Sequence, residues 1–227
     1  MKSPIRDGPA IFKKSKFTMK KIMFNDKYGL TNAVLSGRKT MTRRILLMSN
    51  EDVEYLDNAF DWDLREMVII DRYAQYKVGE IVAIAQSYNT IANSGHLEQM
   101  TVPANNALGF EFKPEYCNAG YNNKMFVKAE LMPEHIRIEG VKIERLMNIS
   151  DEDCIKEGVM TNHAIGWYYI PNLYVHRKTK YTAGPILFEH PNHAYLTLCK
   201  KLGMVINDTA NPYVIAYTFK LFKETQE

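Results

Sequence analysis

The sequence is poor in cysteine: Cys117, Cys154 and Cys199 are the only three in 227 residues, they lie far apart, and no C-x-x-C pair occurs. This spacing excludes a disulfide framework and a zinc ribbon, and it suits a reducing compartment. Long apolar runs are missing as well. No stretch approaches the roughly 18 apolar residues of a membrane span. The opening segment "MKSPIRDGPAIFKKSKFTMKK" carries charge but no apolar core of signal-peptide length, so a cytoplasmic protein with no membrane partner is expected. Neither sign of charge dominates, since 29 Lys and Arg against 26 Asp and Glu leave +3. A protein dedicated to coating DNA is usually more basic. There is no internal repeat, no low-complexity tract and no regular βαβ rhythm. A doubly wound nucleotide-binding fold is therefore disfavoured, and an α+β fold remains: a small barrel or open sheet with packed helices.

What is present is a 46% hydrophobic content, enough to bury a core. Lys13, Lys14, Lys16, Lys20 and Lys21 crowd residues 1–21, which predict a flexible basic arm; residues 22–227 then form a single domain. "KIMF" predicts a short strand, and "DKYGLTNAVLSG" a helix with Gly37 at its C′ position. Ser49 or Asn50 can cap a helix through "EDVEYLDNAF", and "YKVGEIVAIAQSY" reads as a turn at Gly79 followed by a buried strand. Residues 89–123, rich in Asn, Gly and Pro, form one expected insertion; the irregular aromatic stretch 160–190 forms another. That aromatic cluster could stack bases, although insertion core is favoured for most of it. Between them, "RIEGVKIERLMNI" is strand-like with a bulge or turn at Gly140. Ser150 with Asp153 fits a capping box opening a short helix stopped by Gly158. Asn192 can cap a helix "HAYLTLCKKL", and "NPYVIAYTFKLF" is a closing strand with Tyr213, Ile215, Tyr217, Phe219 and Leu221 on one face.

The densest chemistry is "GRKTMTRR" at 37–44. It is not a phosphate loop: Arg38 separates Gly37 from Lys39, and the helix precedes the glycine where Walker A needs it to follow. Nor is "EHPNH" a zinc motif, because Pro191 breaks the i,i+4 geometry between His190 and His193. No metal or cofactor is expected. Arg38, Lys39, Arg43 and Arg44 offer a concentrated anion site, with a solvated basic strand end as the equal alternative. Thr40, Thr42 and Lys39 add a second possibility. A lysine whose pKa is lowered by burial or neighbouring cations can serve as a general base to a nearby threonine nucleophile, and a carboxylate would complete the set.

Four segments in order, "VLSGRKTMTRRIL", "YKVGEIVAIAQ", "VKIERLMNISDEDCIKEGV" and "NPYVIAYTFKLF", resemble ASCH-domain proteins, especially the larger members from bacteria and their phages. The resemblance implies a PUA-like small β-barrel with flanking helices and a cleft beside the Lys-Thr segment, and with it a protein that binds RNA, a nucleotide or a modified nucleobase. One branch of small bacterial ASCH proteins hydrolyses the amide of N4-acetylcytidine with a lysine, a threonine three residues later and a glutamate in the helix after the central strands. Those positions fall on Lys39, Thr42 and Glu157, with Arg38, Thr40, Arg43 and Arg44 as ligand-binding neighbours. The expected function is thus RNA or nucleotide binding in a cationic cleft. The alternatives are an amidohydrolase on an acylated nucleoside, a ribonuclease, or a phage-derived accessory protein. Arg43 departs from the small hydrolases, which carry an apolar residue there. Residues i and i+3 of a regular strand point to opposite faces, so Lys39 and Thr42 can share a site only if the backbone turns or bulges between them.

Overall fold

The computed structural model describes residues 19–93, 119–174, 184–207 and 210–222. Its centre is a mixed five-stranded sheet of β1 (Lys21–Ile22), β2 (Met41–Ile45), β3 (Ile81–Ile84), β4 (His135–Arg145) and β7 (Tyr213–Phe222), in the order β1-β3-β4-β7-β2. Only the β1–β3 pair is parallel. The α+β class follows. The sheet is open, because among the described residues no pairing joins the two-residue edge β1 to the other edge, β2. Closure into a barrel needs staggered edges long enough to pair, and β1 does not supply one.

The long partners β4 and β7 form the core of the sheet. Their register slips between Ile138 and Gly140, so the bulge expected at Gly140 is present. The alternation in β7 is also as expected, but both faces of its first half are buried. Helix α3 (Trp62–Tyr73) packs on β4, while α5 (Asp151–Lys156) packs on β2 and α6 (Pro191–Lys201). Both sides of the sheet therefore need apolar residues.

The expected helix ends hold where capping chemistry defines them. Helix α1 (Leu30–Leu35) ends in Ser36 and Gly37, whose φ of 72° is the left-handed conformation that favours glycine. Ser49 caps α2 (Asn50–Asp57), and Ser150 caps α5 (Asp151–Lys156), each side chain accepting the N–H three residues on. Helix α6 (Pro191–Lys201) starts earlier than expected. His190 is its N-cap and Pro191 its first residue, because proline's fixed φ and missing N–H suit that position.

Helix α3 (Trp62–Tyr73) was not expected. Its apolar residues are spread around the axis, leaving Leu64 and Met67 exposed and burying Ile69. Helix α4 (Tyr88–Asn93) begins the first insertion, of which 94–118 lie outside the described residues. The aromatic insertion contains a two-stranded sheet, β5 (Met160–Asn162) with β6 (Trp167–Tyr169). There Tyr168 packs on the core while Trp167 and Tyr174 are exposed; residues 175–183 lie outside the described set. Most of the predicted basic arm, 1–18, lies outside it too. Lys20 and Lys21 do not belong to an arm: Lys20 pairs with Glu80 at 2.9 Å, and Lys21 sits in β1 and donates to the Val127 carbonyl at 2.9 Å.

Candidate active site

Lys39 precedes β2, which removes the conflict of strand parity. After Gly37 the chain folds back: the Lys39 N–H donates to Ala33 O at 2.8 Å, and the Thr40 N–H donates to Lys156 O at 2.9 Å. These bonds set the turn after α1 against the C-terminus of α5. Glu157 caps α5, and Gly158 follows with φ 107°; a Cβ there would lie 3.5 Å from Leu30 and 3.7 Å from Lys39. Glycine thus permits both the backbone conformation and the close approach. As a result the Lys39 Nζ donates to Glu157 Oε2 at 2.6 Å and to the Glu157 carbonyl at 2.7 Å. Both side chains are almost fully buried, at 2% and 3% exposure.

Strand parity explains the second half of the site. Arg43 lies opposite Ala216 on β7, and Ala216 lies opposite Lys142 on β4, so Arg43, Lys142 and Glu144 share one face of the sheet. The small Ala216 side chain lets Arg43 reach across β7. Its Nε donates to Glu144 at 2.5 Å, Nη2 to Asp153 at 2.7 Å, and Nη1 to Glu157 Oε1 at 3.1 Å and to the Met41 sulfur at 3.1 Å. Lys142 and Lys156 also meet Asp153, at 2.8 and 3.2 Å. The Asp153 carboxylate is thus turned to these cations, away from the return bond of a capping box.

Because β2 is an edge strand, side chains from both its faces line one cleft of about 440 Å³. Lys39, Thr42, Arg43, Arg44 and Glu157 are in its wall; Phe24, Tyr195 and Cys199 complete the part that bears on chemistry. Arg44 donates from Nη2 to the Met23 carbonyl at 2.5 Å and makes no ion pair among the described residues. At the rim Lys124 is already paired with Asp26 at 2.8 Å. The Thr42 hydroxyl, 5% exposed as a residue, makes no side-chain hydrogen bond among the described residues.

Burial pulls the Lys39 ammonium below the ordinary lysine value, and the Glu157 carboxylate only partly offsets this. Burial also opposes the Arg43 charge, but Glu157 and Glu144 outweigh it and hold the guanidinium protonated still more firmly. Desolvation works against the Asp153 carboxylate, yet hydrogen bonds from Lys142, Arg43 and Lys156 keep its pKa at about 2. Burial pushes Cys199 up to about 12 and Tyr195 well above its usual value. At neutral pH both are protonated, so Cys199 is not a ready-made thiolate.

Comparison of the chain with protein-family models, with curated proteins and with solved structures gives no match. The site therefore rests on its own geometry. Of the residues expected from the sequence, Lys39, Thr42 and Glu157 are brought to one cleft, and Arg44 joins them with unspent donors. Arg38 and Thr40 do not line it. The Arg38 guanidinium donates to the Gly158 carbonyl at 3.2 Å, and the Thr40 backbone joins α5 to β7. Arg43 reaches the cleft wall, but four of its five N–H donors are committed inward, so it is not available as an anion clamp. Tyr195, Cys199, Asp153 and Glu144 were missed. The first two could have been found: Tyr195, Leu198, Cys199 and Leu202 recur at one helical face of α6 and all line the cleft.

Among the described residues no group of three His, Cys, Asp or Glu is placed to hold a metal, and no helix is long and apolar enough to cross a membrane.

Proposed function

We propose that the chain is an ASCH-type, PUA-like protein whose cleft takes one nucleoside-sized ligand and hydrolyses an acyl amide on its base. The observation that carries this reading is the buried Lys39–Glu157 contact of 2.6 Å facing the cleft that Thr42 also lines. A volume of about 440 Å³ suits a small molecule. A basic surface for RNA would need cations turned outward, and Arg38 and Arg43 are engaged within the fold.

In this mechanism Glu157 takes a proton from Lys39, leaving a neutral amine, and Lys39 then accepts the Thr42 proton as Oγ1 attacks the acyl carbonyl carbon. The C–N bond breaks, and the departing exocyclic amine takes a proton from the Lys39–Glu157 pair. Water, activated by the same lysine, then cleaves the threonine ester. The balance is amide plus water to carboxylic acid plus free amine. The unspent Arg44 donors would hold the acyl oxygen or an anionic group of the ligand.

Purified protein is expected to release acetate and cytidine from N4-acetylcytidine. Binding of the nucleoside without release of either product would reduce the site to a binding module. Within this scheme Arg44→Gln should raise KM roughly tenfold, the loss of one charge-assisted hydrogen bond, with a smaller change in kcat. An unchanged KM in steady-state kinetics would remove Arg44 from the site.

A further inference from the structure

The Arg43 side chain is fully buried and held by four hydrogen bonds, yet it forms part of the cleft wall. We infer that Arg43 is a positioning residue for the Lys39–Glu157 pair, holding the second oxygen of Glu157 and dividing that carboxylate's charge between two cations. The two oxygens have separate partners: Oε2 meets Lys39 at 2.6 Å and Oε1 meets Arg43 at 3.1 Å. Arg43 has little freedom to follow Glu157, because Glu144 on β4 and Asp153 on α5 fix its other nitrogens at 2.5 and 2.7 Å. The carboxylate is therefore aimed by the sheet as well as by its own helix. A planar, forked guanidinium can reach three carboxylates at once; an ammonium on a flexible stem cannot hold all three in fixed directions.

The electrostatic consequence follows from the surrounding groups. Around Arg43 and the pair are Arg44 on β2, Lys142 and Glu144 on β4, and Asp153, Lys156 and the Cys154 thiol on α5. From α6 come the Tyr195 hydroxyl and the Cys199 thiol, both protonated. Lys142 and Lys156 are taken up by Asp153 and Glu144. Among the described residues Glu157 is then the one anion bonded directly to Lys39, and Arg43 competes for it. Burial lowers the Lys39 proton affinity, and Arg43 limits how far Glu157 can restore it. Such a lysine can act as a base nearer neutrality.

The inference rests on the hydrolytic reading for its kinetic arm only. In lysine 13Cε NMR, with the Lys39 signal assigned by its loss in Lys39→Arg, Arg43→Met is expected to raise the Lys39 titration midpoint by about one unit. Arg43→Lys, which keeps the charge, should return it most of the way. The same Met variant should lower kcat for acyl release about tenfold with KM unchanged, a loss of orientation. A Lys39 midpoint that stays at its wild-type value in folded Arg43→Met overturns the inference, whatever the turnover. A raised midpoint in a protein that hydrolyses nothing upholds it while removing the proposed activity. Should Arg43→Met not fold, Arg43→Met/Glu144→Gln also removes one of the three carboxylates that lose a cation, Glu144, and carries the same test. A midpoint at or below wild type in that variant overturns the inference too.

Discussion

Lys39→Met is expected to slow acyl-nucleoside hydrolysis by about 10²–10⁴-fold, the range for loss of a positioned general base, with nucleoside affinity nearly unchanged. Methionine keeps the length and apolar stem of lysine, and Glu157 retains its contact with Arg43 at 3.1 Å. The variant should therefore fold, which separates loss of chemistry from loss of structure. Thr42→Val should be as inactive, since it replaces the hydroxyl by a methyl of similar shape, while Thr42→Ser should recover much of the rate. Steady-state kinetics beside isothermal titration of the nucleoside makes the comparison. Full activity in Thr42→Val would show that water attacks directly, with Thr42 only lining the cleft.

Glu157→Gln should be the more damaging change to the fold. It removes one anion shared by two buried cations, and breaking a buried pair in this way costs about 3–5 kcal/mol. The deficit should depend on pH. The folded Lys39 pKa already lies below the ordinary 10.5 because of burial, and Glu157 is what raises it most. Without Glu157 it falls further. Between that lowered value and 10.5 the unfolded chain binds more protons than the folded one, so folded stability rises with pH across the window. The variant has the wider window and gains more. Urea unfolding at about pH 6 and about pH 9 should therefore give a large deficit at the lower pH and a smaller one at the higher. An equal deficit at both would mean that Lys39 is already neutral in the wild-type protein or that Glu157 is not its main partner.

Much of the local structure was legible because it depends on neighbours within a few residues. Gly37 ends α1 because only a left-handed residue turns the chain there; Ser150 begins α5 because its hydroxyl meets the Asp153 N–H at 3.2 Å. The bulge at Gly140 and the final strand were legible for the same reason. The α6 start was misplaced by one candidate cap, since proline at N1 outweighed Asn192. Helix α3 had no readable face, because its apolar residues are not confined to one stripe. The strands of the aromatic insertion are three residues each, too short for a period to show.

The sequence by itself determined the α+β class, the ends of α1 and α5, and the presence of a lysine, a hydroxyl and a carboxylate capable of acid–base chemistry. Only the tertiary structure decided which of the four cations in "GRKTMTRR" line the cleft with donors unspent. Arg43 and Arg44 are adjacent, but alternation sends them to opposite faces of β2: Arg43 meets Glu144, Asp153 and Glu157, which lie 101, 110 and 114 residues away, and Arg44 keeps donors for the cleft. Local propensity carries no information about partners so distant. The sheet register that places small Ala216 between Arg43 and β4 converts one arginine from a surface charge into an internal strut.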